Sequence, residues 1–326
     1  MRKLTLTAAA LAASCLLPLS AQAQEASCGE VSITQMNWAS AEIVTTVAKF
    51  IMEQGYGCTV SAVPSDTVPA MASVAENGEP DIVTELWQNS VGDVYERLIA
   101  EKKLKQAGEV LVPGGVEGWW LPAYLVEKHP ELATIEGVMA NPELVGGRFN
   151  NCPEGWGCRV VSDNLIRAFD LEASGIEVFN HGSGETLASS MAAAYADNEP
   201  WFGYYWGPTV PLGKFDMVKV DLGGYNEAAH TANQNKDNPD PKPSDFPTAK
   251  IFTAVLTELE QREPEIADLM SKMSFKTDTM SALLAWKDEN NASAEEAAVY
   301  YLTNHQDEWG PWLSDAARER LAKLLQ

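Results

Sequence analysis

The sequence predicts an α/β protein of two lobes, each built on a parallel-rich sheet flanked by helices. Three observations carry this. The chain of 326 residues is longer than a single core comfortably encloses. Its first third alternates strand and helix patterns in a β-α-β-α-β run, the signature of a parallel sheet. A glycine-interrupted extended stretch then separates that run from a second alternating set.

Residues 1–23 read as an export signal. Arg2 and Lys3 give a positive start, Leu4 to Leu19 an apolar stretch, and Ala21-Gln22-Ala23 a small-residue cleavage site. The apolar run is too short and interrupted for a lasting membrane span. Cys15 raises a lipoprotein reading, but Ala12-Ala13-Ser14 makes a poor lipobox. Val31 to Met36 is the first strand, and Ala39 to Gln54 carries helical spacing (Ile43, Val47, Phe50, Ile51) closed by Gly55 and Gly57. Cys58 to Val63 is a strand, Thr67 to Glu76 a helix stopped by Asn77-Gly78, and Asp81 to Leu86 a third strand running into Trp87. Ligand groups in such sheets gather at the carboxyl ends of strands, where Trp38 and Trp87 both lie.

The extended stretch from Val110 to Tyr124, broken by Gly114-Gly115 and Gly118, predicts the first crossing between lobes. Beyond it come a strand near Arg148-Phe149, a helix from Ser162 to Phe169, a strand from Ile176 to Phe179, a helix from Thr186 to Asp197 and a strand from Trp201 to Tyr205 ending at Trp206. Residues 222–246 form a polar loop rich in Asn, Asp and Pro. Asp237 and Asp240 invite a calcium reading, but the spacing fits no standard loop. Helices are expected from Ile251 to Met273 and from Ser293 onward, the latter with the Ser293/Glu296 capping-box spacing. The expected division is 24–113 with 215–326 as one discontinuous lobe and 114–214 as the other.

Removing Arg2 and Lys3 with the leader leaves 21 of the 23 basic residues against 46 acidic ones, a net charge of −25. Such a surface stays hydrated and argues against nucleic acid or anionic membranes as partners. Loss of Cys15 leaves Cys28, Cys58, Cys152 and Cys158. An even count in an exported chain implies disulfides. Proximity favours Cys152–Cys158, leaving Cys28–Cys58. A zinc site lacks a nearby histidine.

Residues 152–158 read C-P-E-G-W-G-C. A disulfide across so short a loop would present Trp156 together with neighbouring backbone N–H groups, an aromatic face for a cation beside amides for an anion. Ten tryptophans are many for this length. Trp201, Trp286, Trp309 and Trp312 suit packing. Trp38, Trp87, Trp119 or Trp120, Trp156 and Trp206 sit at strand ends or glycine-flanked turns, where several indoles could surround one site. A methylated ammonium donates no strong hydrogen bond, so its recognition relies on cation–π attraction, about 0.5–2 kcal/mol per wall. Micromolar binding needs roughly 8 kcal/mol, which three or four walls and an anion-binding element can reach.

Three stretches, Glu85-Leu86-Trp87, Cys152-Pro-Glu-Gly-Trp-Gly-Cys158 and Tyr204-Tyr-Trp-Gly-Pro208, give the chain its resemblance to the glycine betaine-binding periplasmic proteins of osmoprotectant (ProU-type) ABC importers. The likeness extends loosely over the mature chain, including Phe246-Pro247. It implies a type II periplasmic binding protein fold with a ligand cleft between the lobes, and a monomer that closes on ligand and docks on a membrane permease driven by an ATPase. It implies Trp87, Trp156 and Trp206 as walls around a trimethylammonium, with the amides of Gly157 and Cys158 receiving a carboxylate. The related choline-binding branch implies a further aromatic at Trp38 and another near Trp119-Trp120. Val91 stands where the three-walled form has a carboxylate-gripping histidine. That departure admits trimethylamine N-oxide, choline or the sulfonium dimethylsulfoniopropionate alongside glycine betaine. Glu117, beside Trp119, is a candidate partner for the cation; Glu42 reads as a solvated helix face and His181 as a turn residue. Presentation of ligand to a chemoreceptor would use the same cleft. No H-E-x-x-H, P-loop, G-x-S-x-G or dinucleotide fingerprint is present, so neither catalysis nor a cofactor or metal is expected.

Overall fold

The computed structural model describes residues 28–325; the expected leader, 1–23, lies outside the described residues. Ten strands are present among them: β1 (Glu30–Met36), β2 (Thr59–Ser65), β3 (Ile82–Trp87), β4 (Leu104–Pro122), β5 (Arg148–Asn151), β6 (Glu177–Asn180), β7 (Gly203–Gly207), β8 (Met217–Lys219), β9 (Ala249–Leu256) and β10 (Phe275–Lys276). The main order is β2-β1-β3-β9-β4-β7-β5-β6, with helices over the faces.

β1 pairs in parallel with β2 and β3, as the opening run predicts. The helix Ala39–Ile51 turns Ile43, Val44, Val47, Ala48 and Ile51 into the core, each large side chain contributing about 1.5–3 kcal/mol by burial. The helix Ala294–Asn304 packs against it. A reciprocal capping box between Ser293 and Glu296 starts that helix. The disulfide Cys28–Cys58 ties the start of β1 to the start of β2.

β4 joins two sheets. Its first part, Leu104 to Gly115, lies antiparallel to β9. From Val116 onward it pairs antiparallel with β7 and β8. β5 is parallel to β6 and to β7. The pairing of β4 thus changes partner between Gly115 and Val116. β8, which follows residue 215, pairs with the second half of β4.

The helix expected from Ile251 does not start there. Ala249–Leu256 is a strand inserted antiparallel between β3 and β4, and the helices Thr257–Arg262 and Pro264–Lys272 follow it. Every residue from Ile251 to Leu256 is buried. A strand covered on both faces reads as a continuous apolar run, which periodicity cannot tell from a buried helix. No helix among the described residues is long and apolar enough to cross a membrane.

Candidate functional site

The two sheets bring one aromatic cluster together from four separate elements. Trp38 precedes the helix Ala39–Ile51 as its N-cap residue, and Trp87 ends β3. Trp156 is the N-cap residue of the helix Gly157–Phe169, and Trp206 lies on β7, directly across from Glu117 on β4. Trp38 and Trp156 meet edge to face at 5.0 Å between centroids, as do Trp156 and Trp206. These four indoles, with Thr67, Ser90, Glu117, Gly157, Cys158 and Tyr204, surround one narrow gap of about 20 Å³.

The close approach of the walls depends on missing side chains. A Cβ on Gly115 would stand 2.5 Å from the Trp87 ring, and one on Gly157 would stand 1.9 Å from the Ser90 carbonyl oxygen. The Gly157 contact joins the two halves of the molecule. So do the Trp156 Nε1–H donated to Asn37 Oδ1 at 2.6 Å and the Val68 amide donated to the Gly155 carbonyl. The C-P-E-G-W-G-C loop is clamped at its base by the Cys152–Cys158 disulfide. The helix begins at Gly157, five residues before the predicted start at Ser162, so the Gly157 and Cys158 amides lie in its first turn. N–H groups there have no intrahelical acceptor and suit an anion.

Two carboxyl groups are buried at the cluster. Glu117 Oε1 accepts the Tyr204 hydroxyl at 2.8 Å, while Oε2 has no partner. Desolvation pushes its pKa up to about 7, against the opposing pull of Tyr204, Asn89 and Lys219. Glu85, on β3, lies behind the rings. Its Oε1 accepts Trp38 Nε1–H at 2.5 Å and Ser40 Oγ–H at 2.7 Å, with a longer 3.4 Å contact from Trp87 Nε1. Burial likewise raises its pKa to about 7, partly offset by those donors.

Five expected positions, Trp38, Trp87, Trp156, Trp206 and Glu117, and the Gly157 and Cys158 backbone, thus line one gap. Trp119 and Trp120 do not. Trp119 is fully buried among Phe149, Phe169 and Phe202 and donates Nε1–H to Ser162. Trp120 takes the opposite face of β4 by strand alternation and donates to the Tyr205 carbonyl. Glu42 and His181 also lie outside; His181 bonds Asn150 Oδ1 at 3.0 Å. Val91 is buried at the start of the helix Gly92–Ala100, away from the lining. The sequence reading passed over Asn37, Tyr204 and the role of Glu85. An acid inside the otherwise apolar run of β3 was the signal for Glu85. No group of three or more His, Cys, Asp or Glu side chains among the described residues could hold a metal ion.

Residues 29–304 match the family described as the substrate-binding domain of ABC-type glycine betaine transport systems. The chain belongs to this family. It is 21% identical over 260 residues to the glycine betaine/proline betaine-binding periplasmic protein of Salmonella typhimurium, covering 74% of this chain and 76% of that one. It is 23% identical over 295 residues to the trimethylamine N-oxide-binding protein of Pelagibacter ubique, covering 86% and 90%. Its fold follows that of an ABC-transporter choline-binding protein solved with choline, at a TM-score of 0.75 and 18% identity over 92% of this chain and 99% of that one. Members of this family are transport binding proteins, and their two-lobed α/β architecture is the one seen here. The substrate-binding role in ABC import of glycine betaine-type solutes follows from family membership.

Proposed function

We propose that the protein is an exported, periplasmic and monomeric receptor that hands a small methylated ammonium solute to an ABC permease and its ATPase, with no catalytic step. The trimethylated headgroup occupies the gap between Trp38, Trp87, Trp156 and Trp206. Four indole faces supply about 2–8 kcal/mol between them, and the helix-start amides of Gly157 and Cys158 receive a carboxylate when the ligand has one. The observation that carries this reading is the convergence of four indoles from both halves of the molecule on one gap. Contacts made from both halves favour the closed arrangement by their differential affinity for it.

Glu117 favours a second, narrower reading, trimethylamine N-oxide. Glu117 lines the gap and its buried Oε2 has no partner, and Val91 offers no carboxylate-gripping group. A protonated Glu117 would donate to the N-oxide oxygen; an ionised Glu117 would attract the choline cation. With its pKa near 7, affinity for the N-oxide should rise as pH falls from 8 to 6, and affinity for choline should fall. Titration of both ligands across that range, on the native protein and on Glu117→Gln, tests this. Opposite slopes that flatten in the variant support the reading. Parallel slopes for the two ligands would remove Glu117 from ligand selection.

A further inference from the structure

We propose that Glu85 is a positioning residue that both orients the Trp38 and Trp87 indoles and raises the negative charge on their faces, so that it strengthens cation binding without touching the ligand. The inference rests on the cage reading above. Glu85 is completely buried and absent from the lining of the gap. Its Oε1 collects three donors, Trp38 Nε1–H, Ser40 Oγ–H and, at longer range, Trp87 Nε1–H. An indole N–H donated to a carboxylate leaves more electron density on the ring, and the ring face is what attracts an ammonium. The carboxylate adds its own negative field from behind the walls, where low dielectric keeps it strong.

The backbone shows the position is not a packing default. Glu85 adopts φ 53° in the middle of the first sheet, at an irregularity in the β3–β9 register between Val83 and Leu86. A left-handed conformation is disfavoured for a residue that carries a Cβ. A carboxyl group buried with Oε2 unpartnered adds a desolvation cost. A fold that needed only a filled volume here would be better served by an apolar residue in extended conformation. What Glu85 supplies instead is a shared acceptor for two cage walls.

The test, at pH 8.5 where Glu85 is ionised, compares choline with its neutral isostere 3,3-dimethyl-1-butanol on native protein and Glu85→Gln, which keeps an acceptor but loses the charge. The affinity of choline should fall about tenfold, with a clearly smaller fall for the isostere, and the indole N–H proton of Trp38 should move upfield in the NMR spectrum. Equal losses for the two ligands, or unchanged choline binding, would overturn the charge role. If the variant does not fold, the native spectrum still decides: a Trp38 indole proton no further downfield than those of solvent-exposed tryptophans contradicts the bond to a carboxylate. Native protein that binds no methylated ammonium ligand at all would instead defeat the cage reading on which this rests.

Discussion

Trp156 carries more of the site than any other side chain. Its ring contacts both Trp38 and Trp206, and its N–H bridges to Asn37 on the opposite half. Trp156→Ala should therefore lose one wall and one bond that holds the halves together. A fall in ligand affinity of about tenfold or more is expected, read by calorimetry, with little change in far-ultraviolet circular dichroism. Trp119→Phe is the informative contrast. Trp119 packs in the second-sheet core, so its substitution should lower stability by about 1–3 kcal/mol and leave affinity within about twofold, as denaturant unfolding and titration would show.

At the scale of elements, the Cys152–Cys158 loop and the helix it opens set the geometry. Reducing that disulfide should loosen the placement of Trp156 and weaken binding several-fold while the fold persists, since the loop it closes is short. Gly157→Ala should be more severe, because its methyl group would meet the Ser90 carbonyl across the two halves. Small-angle scattering should then find the variant open even with saturating ligand. Much of this level was legible in the sequence. The opening β-α-β-α-β run, the cysteine pairing and the strand-end tryptophans all express local periodicity or spacing. What escaped was non-local. β9 reads like a helix because both its faces are covered. Trp119 and Trp120 look like ligand walls until strand alternation and the Phe149, Phe169 and Phe202 cluster assign them elsewhere. Glu85 stands out in the sequence only as an acid inside β3; its role needs the convergence of the Trp38 and Trp87 N–H groups on it.

For the whole molecule, two buried carboxyl groups at the cleft link folding, ligand and pH. Glu85 and Glu117 both have folded pKa values raised to about 7 from the usual carboxylate range. Between about pH 4.5 and 7 the folded state holds protons that the unfolded chain has released, so stability falls as pH rises through that window. The ligand-free protein should show a lower Tm at pH 8 than at pH 5.5. The double substitution Glu85→Gln with Glu117→Gln should flatten that slope.

The central claim is that four indoles from both halves form one cage for a methylated ammonium group. Calorimetric titration of the purified protein with glycine betaine, choline, trimethylamine N-oxide and dimethylsulfoniopropionate tests it most directly. Micromolar or tighter binding of at least one of them is expected, lost or sharply weakened in Trp156→Ala. No heat from any of the four, or binding that survives that substitution unchanged, would contradict it.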